Sequence, residues 1–77
     1  MMQERIGETA GKVWRALGQQ GEVSLTTLPK VVNEKEDMVF QALGWLAHEG
    51  KLVYSKKSNR NYVSLTAPER EAFRTIH

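Results

Sequence analysis

The chain has 77 residues, a formal net charge of +2 and no cysteine. This length fits a single domain, and the lack of cysteine excludes disulfides and thiolate metal sites. No apolar run approaches the roughly 18 residues of a membrane span, and the polar start does not read as a signal peptide, so we expect a cytoplasmic protein.

A first helix is predicted over residues 3–20, where apolar side chains recur at helical spacing. Its inward positions are Ile6, Ala10, Val13, Trp14 and Leu17. Gly21 ends this helix, and residues 22–24 are too short for an independent strand. We expect them to pair as an edge strand with a later part of the chain.

A short second helix is predicted within residues 24–32, with Leu28, Val31 and Val32 facing inward. Pro29 is harmless if Thr26 caps the helix, because the proline then lies in the first turn. If Ser24 is the cap, one helical hydrogen bond is lost. Either alternative predicts a short or distorted helix.

The third helix is the best-marked element and is predicted over residues 33–50. Asn33 and Glu36 have the spacing of a capping box, and Gly50 supplies the left-handed residue that ends a helix. Between these ends runs an apolar stripe. It consists of Val39, Ala42, Leu43 and Leu46.

After Gly50 the hydrophobic period changes to two residues, which predicts strands over 52–55 and 62–65. The polar stretch between them predicts a hairpin with its tip near residues 58–60. Thr66 as the cap and Glu69 as its capping-box partner then begin a last helix over 67–77.

Two helices joined by a short turn and followed at once by a hairpin form a winged helix-turn-helix. The chain resembles that superfamily over residues 3–66. The segment ALGWLAHEGKLVYSKKSNRNYVSL is similar to a small bacterial family of stand-alone winged-helix domains of unassigned function. The expected fold class is α+β: one domain over residues 1–77, with a three-helix core, a β-hairpin wing and a C-terminal helix. The resemblance implies DNA binding, with the third helix in the major groove and the wing on the DNA backbone.

The residues do not suggest an enzyme or a metal site. His48 has no acid or ligand at i±3 or i±4. The acidic residues Glu34, Glu36 and Asp37 fall at a helix start, where they stabilise the helix dipole. Because no nucleophile motif or P-loop is present, we predict a non-catalytic protein without a cofactor.

Basic residues gather on the predicted wing, and residues 51–66 contain no acid. The outward face of the third helix carries no Lys or Arg, although Gln41 can read adenine. We therefore predict contacts to double-stranded DNA led by the wing. The candidate residues are Lys51, Lys56, Lys57, Arg60, Gln41 and Lys30. Lys-rich hairpins also serve solubility and block edge pairing, so the alternative stays open.

That alternative is a protein-interaction or dimerisation domain that does not bind nucleic acid. Phe40 is predicted to be an exposed anchor on the third helix, and Phe73 a further contact on the last helix. Trp14 and Trp45 are predicted to lie in the core. A homodimer formed through the first and last helices would cover the remaining apolar side chains.

Overall fold

The computed structural model describes the backbone of residues 2–76 and the side chains of residues 4–76. Across this range the chain forms four helices and one three-stranded antiparallel sheet, so the expected α+β winged-helix fold is confirmed. His77, which the sequence assigns to the last helix, lies outside the described residues. The elements in chain order are α1 (Met2–Gln20), β1 (Val23–Ser24), α2 (Leu28–Val32), α3 (Glu36–His48), β2 (Leu52–Lys57), β3 (Arg60–Leu65) and α4 (Ala67–Ile76).

The core lies between α1, α3 and the inner face of the sheet. The strand order is β1-β3-β2, so the short strand at Val23 pairs with β3 as expected for an edge strand. The predicted stripe of α3 is fully buried, whereas the predicted face of α1 is buried except at Ile6 and Trp14, which are partly buried. The buried side chains include Val13 and Leu17 of α1, Val39, Ala42, Leu43 and Leu46 of α3, and Val63 and Leu65 of β3. None of the described helices is long and apolar enough to cross a membrane.

The turn between α2 and α3 differs from the predicted one. Asn33 ends α2 in the left-handed conformation (φ 57°, ψ 50°), and its N–H donates to the Lys30 carbonyl. Asn tolerates this conformation better than most residues do. The α3 helix therefore starts at Glu36 with Lys35 as its N-cap, and the predicted Asn33–Glu36 capping box is wrong. Pro29 lies in the first turn of α2, as one of the two alternatives requires, but the cap is Thr27.

The end of α3 follows the prediction. Gly50 has φ of 72°, its N–H donates to the Ala47 carbonyl at 2.9 Å, and the Lys51 N–H donates to the Leu46 carbonyl at 3.1 Å. This pair of bonds is a Schellman motif, which satisfies the last carbonyls of a helix. It also turns the chain directly into the wing.

The wing is a hairpin closed by two residues, Ser58 and Asn59, whose φ angles are 51° and 65°. Two left-handed residues form the type I′ turn, whose twist matches that of paired strands. The strands are longer than predicted, but the tip lies where the sequence placed it. Leu52 pairs with Leu65 and Tyr54 with Val63, so these residues share the inner face of the sheet.

The last helix docks on α1. Phe73 packs edge-to-face on Trp14 with ring centroids 5.5 Å apart, and a Cβ on Gly18 would lie 2.4 Å from the Phe73 ring. Glu69 accepts a hydrogen bond from Trp14 Nε1 at 2.9 Å. The Thr66 N–H donates to the Lys51 carbonyl, so the predicted capping box between Thr66 and Glu69 is wrong. Phe73 is half-buried inside the domain because its ring packs on Trp14 and against Gly18.

Candidate nucleic-acid interface

The wing tip carries two exposed cations, Lys56 and Arg60. Lys56 lies opposite Asn61 and Arg60 opposite Lys57, and cross-strand partners share a face, so the two cations emerge from opposite faces of the hairpin. Among the described side chains, neither forms an ion pair. The tip can therefore present positive charge in two directions.

Lys57 differs from its neighbours because Glu22 holds it. Its Nζ donates to Glu22 Oε1 at 2.7 Å and lies 5.9 Å from the centroid of the Tyr62 ring, while Ser55 Oγ donates to Glu22 at 3.0 Å. The hydrogen bond from Lys57, followed by that from Ser55, lowers the pKa of Glu22, and Glu22 in turn raises the pKa of Lys57. Both groups stay ionised at neutral pH, and the charge of Lys57 is largely compensated.

Beside the wing tip lies a hollow of about 300 Å³, which we call the tip hollow. The backbone brings its two sides together, because the Leu25 N–H donates to the Asn61 carbonyl at 2.9 Å. The lining residues are Leu25, Thr26, Asn59, Arg60 and Asn61. The residues that line it carry one cation, one hydroxyl and two side-chain amides.

A second hollow, of about 480 Å³, lies at the turn between α2 and α3, and we call it the turn hollow. It places Lys30 beside two cations that sequence reasoning missed, Arg5 and Lys35. Glu34, also in the lining, accepts a hydrogen bond from Lys12, and this bond lowers the pKa of Glu34. Arg5 lies 25 residues from Lys30 along the chain, so no spacing in the sequence could have joined them.

The outer face of α3 is aromatic and acidic. Gln41 is exposed on it, and two large side chains flank it on opposite sides, Phe40 at 47% and Trp45 at 53% exposure. The prediction for Phe40's exposure is confirmed, and the prediction that Trp45 lies in the core is wrong. Trp45 lies beyond the edge of the Val39–Leu46 stripe and borders an open hollow beside Gly11 and Trp14 of α1, which leaves the side chain half exposed. From Glu36 to His48 there is no Lys or Arg.

The other candidates lie away from the wing tip. Lys51 is at the base of the hairpin, where its Nζ lies 3.6 Å from Glu49 Oε1. Phe73 contacts Trp14, as described above, so its main partner belongs to the same domain. Among residues 2–76, no group of three or more His, Cys, Asp or Glu side chains could hold a metal ion.

Comparison with known proteins gives the family. Residues 1–65 match the DUF2582 family of winged helix-turn-helix domains. The chain belongs to this family. The uncharacterized protein MJ1608 of Methanocaldococcus jannaschii is 36% identical over 64 residues, which cover 79% of this chain and 90% of MJ1608.

Solved structures share the fold of this winged helix-turn-helix domain. The protein BT2368 of Bacteroides thetaiotaomicron has a TM-score of 0.75 at 32% identity, covering 88% of this chain and 83% of BT2368. The adhesin competence repressor AdcR of Streptococcus pyogenes has a TM-score of 0.71 at 24% identity, covering 90% of this chain and 55% of AdcR. NadR, solved with 4-hydroxyphenylacetate, has a TM-score of 0.71 at 18% identity, covering 97% of this chain and 62% of NadR. At these identities, AdcR and NadR show the fold alone.

Proposed function

We propose that this domain is a non-catalytic module that binds double-stranded DNA, with the wing tip on the phosphate backbone. One observation carries the proposal: Lys56 and Arg60 are exposed without an acidic partner among the described side chains, and Arg60 borders the tip hollow. Phosphate contacts supply most of the non-specific affinity of DNA-binding proteins. Membership of a winged helix-turn-helix family supports the same function.

The six candidate residues do not contribute equally in this proposal. Lys56 and Arg60 make the main contacts, and Thr26, Asn59 and Asn61 donate further hydrogen bonds to phosphate oxygens. Lys57 contributes less because Glu22 compensates its charge, and Lys51 contributes less because it lies beside Glu49.

The test is an amide NMR titration of the labelled domain with a short duplex of random sequence. At low salt we expect chemical-shift changes at residues 56–61 and around Thr26, and smaller changes at physiological salt, because counterion release weakens as salt rises. Amides of α4 around Arg70 and Arg74 serve as the internal control, because these cations lie on another element. A spectrum that does not change at low salt would contradict DNA binding.

A second candidate function, supported by a different observation, is protein interaction through the outer face of α3. Phe40 and Trp45 are both about half exposed, and Gly44 between them leaves open space where a Cβ would lie. The two side chains flank the outer face of α3 on opposite sides, and large exposed aromatic side chains are typical of interfaces. A second copy of the chain could bury them in a two-fold dimer. The homodimer expected from sequence is thus proposed through α3, because Phe73 already packs on Trp14.

Sedimentation equilibrium tests this candidate by comparing the chain with the double variant Phe40→Ser/Trp45→Ser. We expect a dimer that the variant cannot form, because the substitutions remove the apolar area that association would bury. The matched control is Gln41→Ser/His48→Ser, which changes two exposed polar residues of the same helix. A chain that stays monomeric at high protein concentration would rule out the homodimer.

A further inference from the structure

The turn hollow is a cationic surface that the wing-tip proposal does not use. Arg5, Lys30 and Lys35 are exposed around it, and none of them forms an ion pair with a described carboxylate. Glu34 is the one carboxylate in its lining, and Lys12 compensates it. Three cations and one carboxylate therefore line this hollow, and the charge of that carboxylate is stabilised by Lys12 from outside the lining and by Arg5.

The α2 helix joins this surface to the wing tip. Leu25 and Thr26, just before α2, line the tip hollow, whereas Pro29 and Lys30 of α2 line the turn hollow. Only Thr27 and Leu28 separate Thr26 from Pro29 along the chain, so the two hollows adjoin consecutive parts of the chain.

We infer that the turn hollow is a second phosphate-binding site, and that one strand of a DNA duplex runs along α2 from the wing tip to Lys30 and Lys35. The inference rests on the proposed DNA-binding function and specifies its geometry. It names α2, rather than the outer face of α3, as the element that follows the DNA backbone.

The charges of α3 agree with this path. Its outer face lacks cations, so it offers no charged contact to a phosphate. Glu36 and Asp37 follow Lys35 and would repel a phosphate placed further along α3. Asp37 is already engaged, since its Oδ1 accepts a hydrogen bond from the Met38 N–H at 2.8 Å. A phosphate is therefore held best on the α2 side of Lys35.

The test measures how duplex affinity depends on salt for Lys30→Ala/Lys35→Ala. Each phosphate contact contributes about 0.9 to the slope of log K against log salt, so we expect the slope to fall by about 1.8. The matched control is Arg70→Ala/Arg74→Ala, which removes the same charge from the exposed side of α4 and should leave the slope nearly unchanged. Adding Arg5→Ala to the first variant should lower the slope by about 0.9 more.

Two failures can be told apart. If the unmodified chain does not bind the duplex at low salt, both the proposed function and this inference are wrong. If the chain binds but Lys30→Ala/Lys35→Ala keeps the original slope, the proposed function stands and the α2 path is wrong. An equal fall in the slope for the α4 control would also overturn the path, because the effect would then reflect net charge alone.

Discussion

Replacing Lys56 and Arg60 by alanine is expected to lower the salt slope of duplex binding by about 1.8 and to weaken binding at about 0.1 M salt roughly sixtyfold. Both side chains are exposed at the wing tip and have no acidic partner among the described residues. Their counterions would be released only when DNA binds. Each lost contact therefore removes about 0.9 from the slope, and at about 0.1 M salt this corresponds to roughly an eightfold loss of affinity.

The measurement is a fluorescence-anisotropy titration of a short duplex at several salt concentrations. The Arg70→Ala/Arg74→Ala variant is again the control, because it makes the same change in net charge on α4. Lys57→Ala gives a comparison within the wing, and we expect a smaller effect because Glu22 already holds Lys57. If Lys56→Ala/Arg60→Ala keeps both the affinity and the slope, the wing tip does not contact phosphates.

Leu46→Ala is expected to lower the free energy of unfolding by roughly 2–5 kcal/mol, the range for truncating a buried leucine. Leu46 is only 4% exposed and belongs to the α3 stripe that packs in the core. A chain of 77 residues has a total stability of roughly 4–12 kcal/mol, so this single change removes a large share of it.

Urea unfolding followed by circular dichroism measures this loss. Gln41→Ala in the same helix is the control and should stay within about 0.5 kcal/mol, because Gln41 is exposed. Leu46→Met conserves volume and should cost less than about 1.5 kcal/mol, which keeps the comparison informative if the alanine variant is largely unfolded. A loss below about 1 kcal/mol for Leu46→Ala would mean that Leu46 is not part of the core.

Helix caps show where local reasoning fails. Asn33 with Glu36, and Thr66 with Glu69, both have capping-box spacing, yet neither forms that motif. In each case the N–H of the expected cap residue is already used, by the Lys30 carbonyl for Asn33 and by the Lys51 carbonyl for Thr66. Glu69 instead bonds Trp14, which lies 55 residues away. A spacing of three residues cannot reveal such competition.

The candidate interface shows the same limit. The cations of the wing could be listed from sequence, but their availability depends on distant acids. Glu22, which is 35 residues from Lys57, holds that lysine, whereas Lys56 and Arg60 have no such partner among the described residues. Trp45 is predicted to lie in the core from its helical spacing, but in the structure it borders an open hollow beside α1 and is half exposed.

The sequence by itself determined the order of helices and strands, the buried stripe of α3, the glycine that ends this helix and the position of the wing tip. These features depend on periodicity and on backbone preferences within a few residues, which are local properties of the chain. The tertiary structure alone decided which cations are free, which aromatic side chains are exposed, and that Arg5 meets Lys30 and Lys35. Those outcomes depend on contacts between side chains far apart in sequence, because packing brings together charges whose separation along the chain carries no signal.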